Sequence, residues 1–267
     1  MYNFLFHLLK GFFMTLFDEF FTTGLIPKII SEYSIEESSA LYVILVILSA
    51  LGSTVIPYLL GSINFSIIIS KKQYNEDIRE FGSKNAGMTN MMRTYGKKAA
   101  VLTLVGDALK AVVAGFVGYA MFGLTGAHIA GLFCVLGHMF PIFYKFKGGK
   151  GVVTTAVSVL MCNPLVFAIL IFIFILIVLF TRYISLGSVM CVLLYPVLLN
   201  RLDILVTYIN TGVEITALSY HWVPVVVAFL VVFKHWENIK RLMNKTENKF
   251  SFKKSKKTTK ELTKEEK

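Results

Sequence analysis

The sequence predicts an all-α fold, a polytopic transmembrane helical bundle of about seven spans, and three observations predict it. Of 267 residues, 55% are hydrophobic and only 16% charged, where a soluble domain carries about a quarter charged residues. The apolar residues come in uncharged blocks, such as Val166–Phe180 and Val223–Phe233, without the strict alternation that barrel strands require. A bilayer core takes roughly 20 apolar residues per helix, because each backbone N–H and C=O must be paired inside the segment. Finally, the net charge of +11 is carried by Lys and Arg beside these blocks. That is the positive-inside pattern, reinforced by anionic lipid. Membrane lipids are thus the expected partner, and no nucleic-acid motif accompanies the charge.

Residues 1–40 form an N-terminal extension. MYNFLFHLLKGFFMTLFDEFF is apolar but interrupted by Lys10, Asp18 and Glu19. This favours an interfacial amphipathic helix over an extra span, and it lacks the uninterrupted core of a secretory signal. Ser31–Ser39 reads as a polar linker. The transmembrane domain covers 41–242. Its first span is Leu41–Ser70, with Pro57 and Gly61 inside. A long polar loop, Lys71–Lys98, follows, with seven Lys or Arg against three acids. Spans at Ala99–Phe122 and Ala127–Tyr144 are joined by the turn GLTG. After the basic glycine loop KFKGGKG comes a short span at Val152–Met161, broken at Asn163-Pro164. Leu165–Thr181 crosses again, Arg182 turns the chain, and Leu186–Leu199 crosses back. A loop over 200–221 precedes the last span, Val223–Phe233. The basic tail, 243–267, is rich in Lys and poor in apolar residues, which predicts disorder and attraction to anionic headgroups.

Charge checks this count. Seven crossings put the loop 71–98, the glycine loop, the turn at Arg182 and the tail on one side, and these are the basic segments. They are expected in the cytoplasm. The three cysteines, Cys134, Cys162 and Cys191, are widely spaced in apolar segments and read as small buried hydrophobes.

Three polar clusters lie on that basic side, so the expected active site is at the cytoplasmic face. FGSKNAGMTNMMRTYGKK offers Ser83, Asn85, Thr89, Asn90 and the permanent cation Arg93, which can grip a phosphate bidentately. KFKGGKG resembles an anion cradle. Gly148, Gly149 and Gly151 let the backbone turn sharply, the next helix begins near Val152, and Lys147 and Lys150 add charge. KHWENIKRL sets His235, Asn238 and Arg241 at i, i+3 steps on one helix face. Glu237 is expected to pair with Arg241. Asp107 and Lys110, three residues apart within a span, can pair with each other, and His138 is either an interhelical histidine or part of the site. The sequence contains no HExxH, no GxSxG elbow and no clustered metal-ligand spacing. No metal or cofactor is expected.

These motifs resemble those of the bacterial acyl-phosphate:glycerol-3-phosphate acyltransferases. The resemblance runs from about Leu41 to Glu247. It rests on GSINFSIIISK, DIREFGSKNAGMTNMMRTYGKKAA, GHMFPIFYKFKGGKGVVT and HWENIKRLMNKTE, in that order. It implies a seven-spanning enzyme of the bacterial cell membrane. That enzyme passes an acyl group from acyl phosphate to glycerol 3-phosphate, giving lysophosphatidic acid and phosphate, the first acylation of phospholipid synthesis. Ser83, Arg93, His235 and Asn238 are then the expected catalytic residues. Asn85, Thr89, Asn90, Lys147, Gly148, Gly149, Lys150 and Gly151 are expected to bind substrate, and Glu237 to be structural. Four positions depart from the family pattern: Lys84 and Lys245 stand where glycine is usual, Asn64 where proline is, and Trp236 where arginine is. A transporter for an anionic phosphorylated metabolite is the rival reading. It predicts binding residues near the midplane and internal repeats, and the polar groups gather at one face instead.

Overall fold

The computed structural model describes residues 24–37, 39–211 and 220–250. Among them are ten α-helices, two 3₁₀ turns and no strand. A short helix α1 (Leu25–Glu32) packs beside the hairpin turn at Gly123. The amphipathic stretch 1–23 lies outside the described residues.

The first long helix, α2 (Ala40–Ser62), is capped by the Ser39 hydroxyl, which accepts from Tyr42 N at 3.2 Å. A bend at Ile63–Asn64 leads into α3 (Phe65–Tyr74). Asn64 explains one departure from the family pattern. Its buried Oδ1 accepts from Ile67 N and from the Ser66 hydroxyl, so a side chain caps α3 where others have proline. The predicted loop 71–98 is largely structured. It holds the end of α3, a 3₁₀ turn (Ile78–Glu80) and a helix α4 (Met88–Tyr95). Ile78, Ala86 and Met91 are fully buried, and these scattered apolar residues fold the loop into a cap.

Helix α5 (Lys97–Met139) is one assignment covering two arms. Phe122 and Gly123 have non-helical angles, and Gly123 has φ 55°. Gly118 and Gly126 then face each other backbone to backbone with no room for a Cβ. Eight residues of straight helix would separate them by about 12 Å, so the chain folds back as a helical hairpin. This is the turn expected at GLTG. Both arms pack on α2, the second so closely that Gly61 meets the Cys134 backbone and Gly137 meets that of Tyr58.

Beyond the glycine loop, α6 (Val152–Cys162) is only 11 residues, about 16 Å long and half a bilayer core. Asn163 ends it and caps α7 (Pro164–Thr181), whose first residue is proline. Helix α8 (Ile184–Thr211) runs a dozen residues past its predicted end. Residues 200–211 contain neither Gly nor Pro to stop it. The expected loop 200–221 is therefore mostly helix. Helix α9 (Trp222–Lys234) meets α10 (Trp236–Met243) at a 60° bend. Among the described residues, four helical segments are long and apolar enough to cross a membrane, or five with the bent pair counted as one. The exposed side chains of α2, α7 and α9 are overwhelmingly apolar, as lipid-facing surface should be.

Candidate active site

The first and second motifs meet where α5 ends. Gly148 N donates to Met139 O at 3.3 Å and Gly149 N to His138 O at 3.0 Å, so the loop folds back onto the helix it has just left. A Cβ on Gly149 would collide with His138 Nε2 and with the carbonyl of Ala86 from the first motif. The glycines are thus demanded by close packing. Their own N–H groups donate to carbonyls of α5 in this arrangement. The anion-ready end is one step further on. Gly151, at φ 76°, opens α6 with no side-chain cap, and Lys150 stands beside that helix start.

The second and third motifs meet through Lys150, whose Nζ donates to Asn238 Oδ1. Asn238 Nδ2 in turn donates to Glu247 Oε1 at 2.7 Å. Glu247 is a hub. Arg241 Nε reaches its Oε2 at 2.7 Å and the Ser185 hydroxyl its Oε1 at 2.9 Å. Burial opposes its charge, but the hydrogen bonds from Arg241, Asn238 and Ser185 outweigh it and hold the carboxyl below its usual range. Residues 244–250, grouped with the tail by sequence, dock here, and Phe250 N donates to Arg182 O at 2.7 Å. Residues 251–267 lie outside the described residues.

The first and third motifs meet through charge. Arg93 is exposed on α4, and both Glu247 and Arg241 are near enough to act on its guanidinium. Lys150 feels burial most, then Glu247, and then the cations Arg241, Arg93 and Lys234. Burial and the cations outweigh Glu247, which favours the charged form, and lower the ammonium to about 8. One carboxylate, Glu247, therefore stands among three cations, Lys150, Arg93 and Arg241, while Lys234 donates to Met139 O at 3.3 Å. His235 is buried at the bend between α9 and α10, and its Nδ1 lies 2.8 Å from Val231 O. A carbonyl only accepts, so Nδ1 carries the proton and Nε2 holds the free lone pair.

Not every predicted residue faces this cluster. Asn90 is buried and its amide is committed: Nδ2 donates to Ile78 O and Phe81 O, and Oδ1 accepts from Ser83 N at 2.9 Å. It braces the loop bearing Ser83 and is not free to bind substrate. Ser83 and Lys147 are exposed, and Asn85 and Thr89 are half-buried in the same cap. Glu237 is exposed and pairs with Lys240 at 3.2 Å, not with Arg241. The structural carboxylate is Glu247, which takes Arg241 by folding back from beyond the helix end. His138 and Lys110 form a packed interhelical group. Lys110 Nζ touches His138 Nδ1 at 2.9 Å, Asp107 Oδ1 at 2.8 Å, and the last carbonyls of α2 at Gly61 and Ile63. The expected Asp107–Lys110 pair is present, and its work is to pin three helix ends together. Two of the departures from the family pattern also gain a reason. Lys84 and Lys245 have φ of 58° and 57°, the left-handed conformation that glycine adopts without cost.

Fold and site together define an integral membrane protein that concentrates positive charge, one buried imidazole and a helix start at one end of a helical bundle. The comparisons with known proteins give that class its family. The family profile described as glycerol-3-phosphate acyltransferase matches residues 51–245. A glycerol-3-phosphate acyltransferase of Finegoldia magna is 37% identical over 198 residues, covering 73% of this chain and 93% of that protein. One from a Thermoanaerobacter species is 40% identical over 200 residues, covering 75% and 95%. Two crystal structures of PlsY (YgiH), an integral membrane glycerol 3-phosphate acyltransferase, share the fold. The glycerol 3-phosphate form has a TM-score of 0.62 at 33% identity and covers 78% of this chain and 95% of that one. The lysophosphatidic acid form has a TM-score of 0.63 at 32% identity and covers 76% and 96%. The chain belongs to the glycerol-3-phosphate acyltransferase family.

Proposed function

We propose that this enzyme takes its acyl group from acyl phosphate and places it on the 1-hydroxyl of glycerol 3-phosphate, releasing lysophosphatidic acid and inorganic phosphate. The observation that carries the reading is the meeting of Arg93, Lys150 and Arg241 around a single carboxylate. Two cations beyond what Glu247 neutralises suit two phosphorylated reactants brought side by side. The excess of Lys and Arg in the loops at this end of the bundle supports a cytoplasmic placement of the site.

The reaction needs little covalent help. Acyl phosphate is a mixed anhydride. The glycerol hydroxyl oxygen attacks the carbonyl carbon, a C–O ester bond forms, and the bond to the phosphate oxygen breaks with its electron pair leaving on phosphate. Lys150 and the start of α6 hold one phosphate, and Arg93 with Arg241 steadies the other. Positioning of this kind, with fixed positive charge, supplies several kcal/mol of barrier reduction. His235 Nε2 is the acceptor for the hydroxyl proton. Ser83 and Asn85 supply hydrogen bonds at the rim. The test is direct. Purified protein given palmitoyl phosphate and glycerol 3-phosphate should form lysophosphatidic acid and phosphate with no coenzyme A. Turnover with palmitoyl-coenzyme A alone would overturn the donor assignment.

A further inference from the structure

Arg79 stands apart from the cations around Glu247. Arg79 lies in the 3₁₀ turn between α3 and α4. Its fork is closed by Asp77: Nε reaches Oδ1 at 2.9 Å and Nη2 reaches Oδ2 at 2.7 Å. Asp77 is itself fixed, accepting from Arg79 N at 3.1 Å and pairing with Lys71 at 3.5 Å. Only Nη1 extends outward, and it donates to two carbonyls of the glycine loop, Tyr144 O at 3.0 Å and Lys147 O at 3.1 Å. Every nitrogen of the guanidinium is thereby committed. Arg79 is not a phosphate ligand.

The segment it grips is unusual. Lys145 and Phe146 are consecutive non-glycine residues in the left-handed region, at φ 56° and 57°. Each costs about 1–2 kcal/mol relative to ordinary backbone, so the turn persists only where something outside it holds it. Its internal bonds are few. Tyr144 N and Phe146 N both donate to Pro141 O, and Lys147 N donates to Tyr144 O. Arg79 binds the two carbonyls that flank the strained pair. Lys147 O lies just before Gly148, three residues ahead of Lys150.

We infer that Arg79, locked by Asp77, is a positioning residue for the proposed acyl transfer: it clamps the strained 144–147 turn and so fixes Lys150 at the start of α6. This rests on the function proposed above for Lys150. Lysine cannot replace Arg79, because one ammonium cannot fill the Asp77 fork and span two carbonyls together.

The experiment uses full-length protein in detergent. It compares wild type, Arg79→Ala, Arg79→Lys, Lys150→Gln and the Arg79→Ala/Lys150→Gln pair, with radiolabelled glycerol 3-phosphate and palmitoyl phosphate. Arg79→Ala and Arg79→Lys should each lower kcat/KM by about 30-fold, mostly through KM for glycerol 3-phosphate. In the Lys150→Gln background the same change should cost less than about 3-fold, because the residue Arg79 positions is already gone. Trypsin should cut after Lys145 and Lys147 faster in Arg79→Ala, with cleavage elsewhere unchanged. Equal cost in both backgrounds, or no cost in wild type, overturns the inference. So does general sensitivity to trypsin, which would make Arg79 a global structural residue. Should Arg79→Ala not fold, Arg79→Lys carries the same cycle. An inactive wild type would strike at the proposed function, whereas an active wild type with additive mutants would strike only at Arg79.

Discussion

Helix α8 joins two carboxylate-centred clusters, and they differ in the property that matters. Near its start, Ser185 reaches Glu247, which also binds Arg241 and Asn238. Eighteen residues on, about 27 Å of helix rise, Asp203 accepts from Asn163 Nδ2, the Tyr220 hydroxyl and His221 Nε2, each at 3.2 Å. Asn200 meets His221 at 3.1 Å, and Tyr220 stacks on His128 with ring centroids 4.2 Å apart. Both clusters tie three helices together. The partners at Asp203 among the described residues are an amide, a phenol and an imidazole, with no Lys or Arg among them. The Glu247 cluster holds more positive charge than its carboxylate balances. An isolated excess of buried charge is unfavourable, so it is retained where a ligand of opposite sign completes it. The cluster around Asp203 braces the bundle through neutral donors, whereas the one around Glu247 gathers the excess positive charge that an anionic ligand needs.

The largest effect that would sharpen this contrast is at Arg93. Arg93→Ala should lower kcat/KM by about 10³-fold with little change in melting temperature. Retained activity would break the assignment of the inner cluster as the site. Glu247→Ala should do both kinds of damage. It strips Arg241, Asn238 and Ser185 of their acceptor and costs about 2–4 kcal/mol of stability, read as a lowered melting temperature with activity lost alongside. Asp203→Asn at the far end should cost about 1–3 kcal/mol and leave the kcat of the folded fraction unchanged. A kcat loss there would erase the distinction between the two clusters.

Acidity separates them further. The Lys150 ammonium is lowered to about 8, so it is charged below that pH and neutral above it. KM for glycerol 3-phosphate should therefore rise as pH climbs through about 8, by up to about tenfold. Lys150→Arg, which stays charged, should flatten that limb. The smallest effect is at Lys84. Replacing it with glycine removes about 1–2 kcal/mol of left-handed strain and adds about 0.5–1 kcal/mol of chain entropy cost. The melting temperature should rise by the equivalent of at most about 1.5 kcal/mol.

Much of this protein is legible in its residues. The span positions, the hairpin turn and the broken pair at Asn163-Pro164 follow from uncharged runs and their punctuation. The motif residues Arg93, Lys150, His235 and Asn238 stand out as polar groups beside apolar blocks, and the structure brings them together. The misreadings share a cause. Asn90 and Arg93 lie one turn apart on α4, yet one amide turns inward to the loop backbone and one guanidinium remains at the surface. Spacing gives Arg241 two possible carboxylates, Glu237 at i−4 and Glu247 at i+6. The second wins because the chain reverses at Lys245 and returns, which no helical periodicity encodes. Ser185 carries no local signal, and for Arg79 the neighbouring Asp77 is visible but the two carbonyls it grips belong to a distant segment.

The sequence by itself determined that the chain lives in a bilayer, where most of its apolar helices lie, and which family it joins. Those properties depend on hydropathy, charge and motif order, all of which are local. Only the tertiary structure decided which cations are spent and which are free. Lys110 and Arg79 are consumed by carbonyls at helix and loop ends, whereas Arg93, Lys150 and Arg241 face one another around Glu247. That division depends on which backbone groups the folded chain leaves without partners, and those are set only when helices far apart in sequence have packed.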